Sequence, residues 1–420
     1  MESIRVSPDL EGCQPPTDPG PPSAGPESCL RVSIGILAYN EESAIATTIA
    51  SIAEQSLLLQ LPPRWSIELI CVPNGCKDRT AQVASEAIAR LVERCGNPDI
   101  AGRVEVVDRA SKENAWNEFV HRISDPRSDV LVMMDGDVRL VHPDTLRNMI
   151  DSLRNHPRAY VCGARTIKHL EARPHRGVNE RISLLASRLR AHAVSHAGIV
   201  AFAGCLYAAR ASACRRIWLP SILRGEDSFL HAIWATDFFT VPVNQRDATR
   251  IISAADATVM FEAYVKPSQV LKNLRRRAVG ITINSMLYDR LWSQSTREQD
   301  AGVLLTRWHL QEPGWDQRLL AEKIKERGRW VPPGGPFLRW ISPQGNLWTW
   351  FRRLKGMPLH RKLASLPIAC VGTCLMLYAY IAANRLLRSG KLDNLWFTTQ
   401  TKLTGTGVSH QPFKSNLTSG

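Results

Sequence analysis

Apolar and polar positions alternate in two periods along the first half of the chain. "RVSIGILAY" (31–39) reads as a buried strand, and "EESAIATTIASIAEQS" (41–56) sets Ile45, Ile49 and Ile52 on one face of a helix. "IELICV" (67–72) predicts a second strand, followed by a helix from Thr80 to about Arg94 that carries Val83, Ala87 and Leu91 on one side. "RVEVVD" (103–108) predicts a third strand, 114–123 a helix and "DVLVMMD" (129–135) a fourth strand. Strands alternating with helices predict an α/β domain with a Rossmann-like, mostly parallel sheet. Ligands of such sheets gather at the carboxyl ends of the strands.

The pattern then changes. Residues 165–203 read as basic and helical, with Arg181, Arg188 and Arg190 among small residues. "GCLYAARASACRRI" (204–217) predicts a strand entering a helix, and "GEDSFLHAIW" (225–234) opens another helix. Further on, Trp308, Trp315, Trp330, Trp340, Trp348 and Trp350 are interleaved with arginines and lysines. They fit either a membrane-interface platform or the core of a small helical subdomain. "LASLPIACVGTCLMLYAYIAAN" (363–384) carries no charge and is long enough to cross a hydrocarbon core. Arg352, Arg353, Lys355, Arg361 and Lys362 precede it, and Arg385, Arg388 and Lys391 follow. This small excess favours a single-pass anchor with the main domain on the cytoplasmic face. A buried or in-plane helix is the alternative, because Ser365, Pro367, Gly372 and Thr373 dilute the apolar run.

Composition sharpens this picture at three points. The formal charge of +14 on 420 residues favours phosphate-bearing or membrane-surface partners. Neither zinc-finger spacing nor a dense basic tract is present, so nucleic acid is not expected. The ten cysteines have no paired spacing and read as reduced thiols of a cytosolic compartment. Residues 1–29 are rich in proline and poor in apolar residues, which predicts a disordered leader and no signal peptide.

Four short stretches carry candidate chemistry. "AYNEE" closes the first strand, with Glu41 and Glu42 at the start of a helix. "VPNGCKDRT" (72–80) has a tight-turn Asn74-Gly75 and an aspartate, Asp78, placed to cap the next helix. "SKENAWN" (111–117) is a polar turn with one lysine. The fourth is Asp135-Gly136-Asp137. Two carboxylates so close repel each other unless water or a positive charge intervenes. The pair reads as a solvated turn or as a site for a hard cation.

Taken in order, these stretches resemble the inverting glycosyltransferases of family 2. The family's "P-x-Y-N-E" is met by Leu37-Ala38-Tyr39-Asn40-Glu41, and its "D-D-G-S-x-D-x-T" by Pro73-Asn74-Gly75-Cys76-Lys77-Asp78-Arg79-Thr80. Its "G-K-x-x-A-x-N" is met by Ser111-Lys112-Glu113-Asn114-Ala115-Trp116-Asn117, and "D-x-D" and "GED" by Asp135-Gly136-Asp137 and Gly225-Glu226-Asp227. The resemblance covers roughly residues 30–285. It implies a GT-A fold, that of nucleotide-diphospho-sugar transferases, with a C-terminal helical, membrane-associated segment.

It also implies roles. Ala38, Tyr39, Asn40, Glu41, Asn74, Lys112, Asp135 and Arg276 would bind the nucleotide sugar. Asp137, with Asp135, would hold Mg2+ or Mn2+, with Gly136 between them to admit phosphate. Asp227 would be the base, supported by Glu226; the alternative is that both acids only open a helix. Three departures matter. Asn74 stands where the family has a uracil-reading aspartate, which weakens a preference for UDP. Leu37 replaces a proline. In "NLRRRAVG" (273–280) Asn273 and Arg277 replace the glutamine and tryptophan of "Q-x-x-R-W", leaving Arg276 and disfavouring a processive polymer synthase.

The expected chain is therefore a leader (1–29), a GT-A catalytic domain (30–285), a Trp/Arg-rich interface region (286–362), a transmembrane helix (363–384) and a polar tail (385–420). The expected activity is metal-dependent, inverting transfer of one sugar from a nucleoside-diphosphate sugar to a lipid-linked or glycan acceptor. A polyprenyl-phosphate sugar synthase and a non-catalytic nucleotide-sugar-binding assembly subunit are the alternatives.

Overall fold

The computed structural model of the chain describes residues 29–172, 202–333 and 359–390, with Gly177, Glu180 and Leu184 between the first two stretches. The leader up to residue 28, the arginines Arg181, Arg188 and Arg190, the tryptophans Trp340, Trp348 and Trp350, the basic residues Arg352, Arg353 and Lys355, and the tail beyond 390 lie outside the described residues.

Strand β1 (Leu30–Ala38) is buried on both faces from Val32 onward, as expected of a central parallel strand, with Ser33 its one polar side chain there. It lies between β2 (Trp65–Pro73) and β4 (Val130–Asp135), parallel to both, and β3 (Ile100–Val104) adds outside β2. The other strands are β5 (Arg139–Leu140), β6 (Val161–Lys168), β7 (Leu206–Arg210) and β8 (Ile251–Phe261), and the described sheet runs β3-β2-β1-β4-β7-β6-β8-β5. The expected mostly parallel sheet is thus mixed. β7 returns antiparallel to both β4 and β6, and β5 is antiparallel to β8.

Period-two alternation along β4 sorts the core. Val130, Val132 and Met134 face one side, packed with Ile45, Ile49 and Ile52 of α1 (Ile45–Ala53), Ile88 and Leu91 of α3 (Thr80–Cys95) and Met149 of α5 (Thr145–Asn155). Leu131 and Met133 face the other, against Trp116 of α4 (Lys112–Glu118), Phe119, and Tyr207 of β7. Between α1 and β2 lies only the short α2 (Ser56–Leu59), and after β7 the single turn α6 (Ala211–Cys214).

Two expected boundaries move because of contacts with other segments. The first helix starts at Ile45 rather than at residue 41, because Asn40 is left-handed (φ 53°) and the N–H groups of Glu41 and Glu42 are spent on Thr80 and Asp78. The third strand starts three residues early, at Ile100, because pairing with Ile67 to Cys71 sets its register; past Val104 the contact continues, with Glu105 N donating to the Cys71 carbonyl and Val107 N to that of Pro73, each at 2.9 Å.

Apart from β8, the regular elements described in the C-terminal half are mainly helices: α7 (Glu226–Ala235), α8 (Pro267–Gln294), α9 (Ala301–Gln311), α10 (Trp315–Arg327) and α11 (Leu359–Ser389). Helix α8 runs straight through the expected boundary at 285, and one core joins Met133 and Phe229 to Met286, Leu304, Trp308 and Leu387. Trp308 is buried, its ring 4.6 Å from that of Trp315, and Trp315 and Trp330 pack against the same core. Trp308 is therefore core, and Trp315 and Trp330 are half-buried against it.

Candidate active site

The first two motif turns interlock at the carboxyl ends of β1 and β2. The Ala38 carbonyl accepts from both Asn74 N, at 2.9 Å, and Asn74 Nδ2, at 2.8 Å. Asn40 Oδ1 accepts from Lys77 N at 2.8 Å, and Glu41 N donates to Thr80 Oγ1 at 2.8 Å. Asp78 accepts from the N–H groups of Glu42 and Thr80, acting across the two turns as well as at the start of α3. Gly75 is left-handed (φ 60°), and a Cβ there would meet Ala110 at 2.6 Å. Ala38, Tyr39, Asn40, Glu41 and Asn74 are thereby brought to one rim. Asn74 is almost wholly buried, and one N–H of its amide is committed to Ala38, which leaves Oδ1 and the second N–H to meet a base.

The aspartate turn is built onto that rim. Asp135 N donates to the Cys205 carbonyl and Gly136 N to that of Leu37, each at 3.0 Å. A side chain at Gly136 would meet Ala38 Cβ at 2.9 Å. The glycine therefore lets the turn lie against the end of β1, a packing reason distinct from admitting phosphate.

Between the aspartate turn and α7 sits Lys112. Ser111 caps α4 by accepting from Asn114 N, which turns Lys112 inwards. Lys112 Nζ stands 2.6 Å from Asp135 Oδ1, 2.7 Å from Glu226 Oε1 and 3.3 Å from the Gly204 carbonyl. Burial opposes the ammonium charge, yet the two carboxylates raise its pKa well above the ordinary lysine value. Burial drives Asp135 up to about 6, with Lys112 pulling it down and Asp137 pushing it up. For Glu226 burial also pushes up, but Lys112 outweighs it and holds the carboxyl below the usual range. Asp227, beside it, is raised by burial and then by the Glu226 charge.

The loop that leads into Glu226 and Asp227, at the start of α7, is clamped from three sides. Asn117 of α4 holds Leu219 with both ends of its amide, at 2.8 and 3.0 Å. Asp316 of α10 accepts from Ser221 Oγ at 2.8 Å and Ile222 N at 3.2 Å. Gly280 of α8 lies so close that a Cβ would stand 2.4 Å from the Arg224 carbonyl oxygen. The same helix brings Arg276 near, where its charge stabilises the ionised forms of Glu226 and Asp227. Glu41, Lys112, Asp135, Asp137, Glu226, Asp227 and Arg276 thus border one region.

Two residues there carried no sequence signal beyond being polar at the end of a strand. Glu262 and Tyr264 follow β8, and Arg139, two residues past Asp137, pairs with Met260. Burial first, then Asp137, Asp135, Asp78 and Glu262, push Glu41 up to about 9. Burial also raises Tyr264, with Asp137, Asp135 and Glu262 adding to it and Arg276 opposing.

This concentration of carboxylate oxygens fits a hard divalent cation. Among the described residues no three such side chains converge into a complete cage. A Mg2+ or Mn2+ ion held by one or two carboxylates takes its other ligands from water and substrate phosphates.

Residues 33–215 match the family model described as Glycosyl transferase family 2. No curated protein matches the chain significantly. Among solved structures, Staphylococcus aureus TarS residues 1–349 in complex with UDP is 15% identical, with 86% of this chain and 92% of that one covered at a TM-score of 0.37. Glucosyl-3-phosphoglycerate synthase from Mycobacterium tuberculosis, in complex with Mn2+ and UDP-glucose, is 18% identical, with 61% and 78% covered at 0.37.

Proposed function

We propose, from the premise that this chain is a family 2 glycosyltransferase with a GT-A fold, that it moves a single sugar, with inversion, from a nucleoside-diphosphate sugar to a lipid-linked or glycan acceptor. The observation that carries this is the Lys112 bridge, which joins Asp135 of the aspartate turn to Glu226 beside Asp227. It couples a diphosphate site to a base within one buried cluster.

In this reading Asp227 accepts the proton of the acceptor hydroxyl as that oxygen attacks the anomeric carbon. The bond from that carbon to the diphosphate oxygen breaks, and its electron pair leaves with the nucleoside diphosphate. Burial and the Glu226 charge make Asp227 a stronger base than an exposed aspartate. Glu226 stays ionised against Lys112 and orients it. Because Asp135 spends Oδ1 on Lys112, the metal-holding role falls chiefly to Asp137. A bound divalent cation supplies Lewis-acid neutralisation of the leaving diphosphate. Arg276 adds a second positive charge on the α8 side.

The C-terminal helix supports a membrane-associated acceptor. Cys370–Ser389 is long and apolar enough to span a membrane, and its face turned away from α8 is exposed. We assign the catalytic domain to the cytoplasmic face, with α11 as a single anchor. The test is release of nucleoside diphosphate from a panel of sugar nucleotides with Mn2+ or Mg2+. No release and no binding with any donor would remove the enzyme reading.

A further inference from the structure

Helix α11 has two distinct faces. Ala379, Tyr380, Ala383 and Leu387 are buried against the core that includes Val279, Ile283 and Met286 of α8. Cys370, Val371, Cys374, Leu377, Tyr378 and Ile381 are exposed at helical spacing, and Arg385 and Arg388 continue their stripe. Val371, Leu377, Tyr378 and Ile381 are each more than a third exposed.

Where this apolar stripe meets the start of α8 there is a cleft of about 240 Å³, lined by Ser268, Leu271, Lys272, Arg275 and Tyr378. The four α8 residues recur at spacings of three and four, so they share one helical face. Both charged residues of the lining are cations. Arg275 Nε is buried and has no hydrogen-bond partner among the described residues, an expensive state for a guanidinium nitrogen. A donor group left in this way, beside a second cation and a hydroxyl, matches an oxyanion.

We propose that this cleft binds the phosphate headgroup of an anionic phospholipid. The choice of a lipid over a free anion follows from what adjoins the cleft. Its rim residue Tyr378 belongs to the exposed apolar stripe, and aromatic rings with a polar end settle at the level of the headgroups. Lys272 and Arg275 then meet the charged surface while Leu377 and Ile381 enter the apolar layer. Arg276 follows Arg275 in the same helix and faces the carboxylates of the active site. A headgroup on one face of α8 would hold the membrane beside the acceptor side of that site. The inference rests on the membrane attachment proposed above, and it does not depend on turnover.

The test is co-sedimentation of the full chain with vesicles of phosphatidylcholine, alone or mixed with phosphatidylglycerol. Stronger binding to the mixed vesicles is expected. Lys272→Gln/Arg275→Gln should weaken that binding about thirty-fold while leaving binding to neutral vesicles unchanged, and Lys272→Gln alone about five-fold. The distant, exposed pair Arg90→Gln/Arg94→Gln removes the same charge from α3 and should change binding less than about two-fold. An equal loss in that control would replace the cleft with general charge attraction and overturn the proposal. So would equal wild-type binding to both vesicle types, or displacement from mixed vesicles by millimolar inorganic phosphate. Binding to neither vesicle would overturn membrane attachment as well, while donor hydrolysis would still report on the enzyme.

Discussion

Lys112 donates to Glu226 across 2.7 Å, and the same ammonium lies 2.6 Å from Asp135. One cation thus compensates two carboxylates from different motifs, the buried Glu226 and the half-buried Asp135. Lys112→Met would strand both. Removing one partner from a buried ion pair costs about 3–5 kcal/mol. We expect a loss of that size in denaturant unfolding, together with loss of transfer. Glu226→Gln/Lys112→Met should recover part of the stability and none of the activity.

Asp227→Asn should keep donor binding and lower transfer by about 10²–10⁴-fold, the usual contribution of a positioned base. Calorimetric donor binding beside single-turnover transfer separates the two effects. Because burial and Glu226 raise the Asp227 pKa above 3.8, the wild-type rate should fall on the acid side along a limb lying above that value. The limb belongs to the Glu226–Asp227 pair and should vanish in the variant. Full transfer by Asp227→Asn would remove the base assignment.

Asp137→Ala should abolish metal-dependent donor binding. Mn2+ titration followed by electron paramagnetic resonance, with and without nucleoside diphosphate, reads this without turnover. Unchanged Mn2+ affinity would move the metal role elsewhere.

His121 predicts an acid-sensitive fold. Its ring stacks on Trp218 at 3.7 Å, Nε2 lies 2.9 Å from the Ile217 carbonyl, and burial pulls its pKa from 6.5 down to about 4. The unfolded imidazole takes up its proton near 6.5 and the folded one only near 4. The contribution is therefore complete above pH 6.5 and is lost as pH falls towards 4. Allowing for partial exposure, it amounts to about 2 kcal/mol. His121→Phe should flatten that part of the stability–pH curve, measured by urea unfolding.

Asn74→Asp restores the family's residue yet should destabilise this chain by about 1–3 kcal/mol. It sets a carboxylate oxygen against the Ala38 carbonyl where Nδ2 now donates at 2.8 Å. Thermal unfolding above pH 6 would reveal the loss; an unchanged midpoint would mean that the turn relaxes at little cost.

By itself the sequence determined the local elements and the order of the motifs. Apolar period in β1 and β4, and at Ile45, Ile49 and Ile52, depends only on neighbours a few residues apart. So does the turn at Asn74-Gly75. The tertiary structure decided what those residues meet. It gave Lys112 two carboxylates, spent the Asn74 amide on Ala38, set Gly136 against Ala38 and put Trp308 inside the core. It also divided α11 into a buried and an exposed face. Pairing and desolvation depend on distances between segments far apart in the chain, and local periodicity carries no such distance. The aspartate turn was legible as two close charges; the lysine that makes them tolerable became visible only when α4 and α7 closed over it.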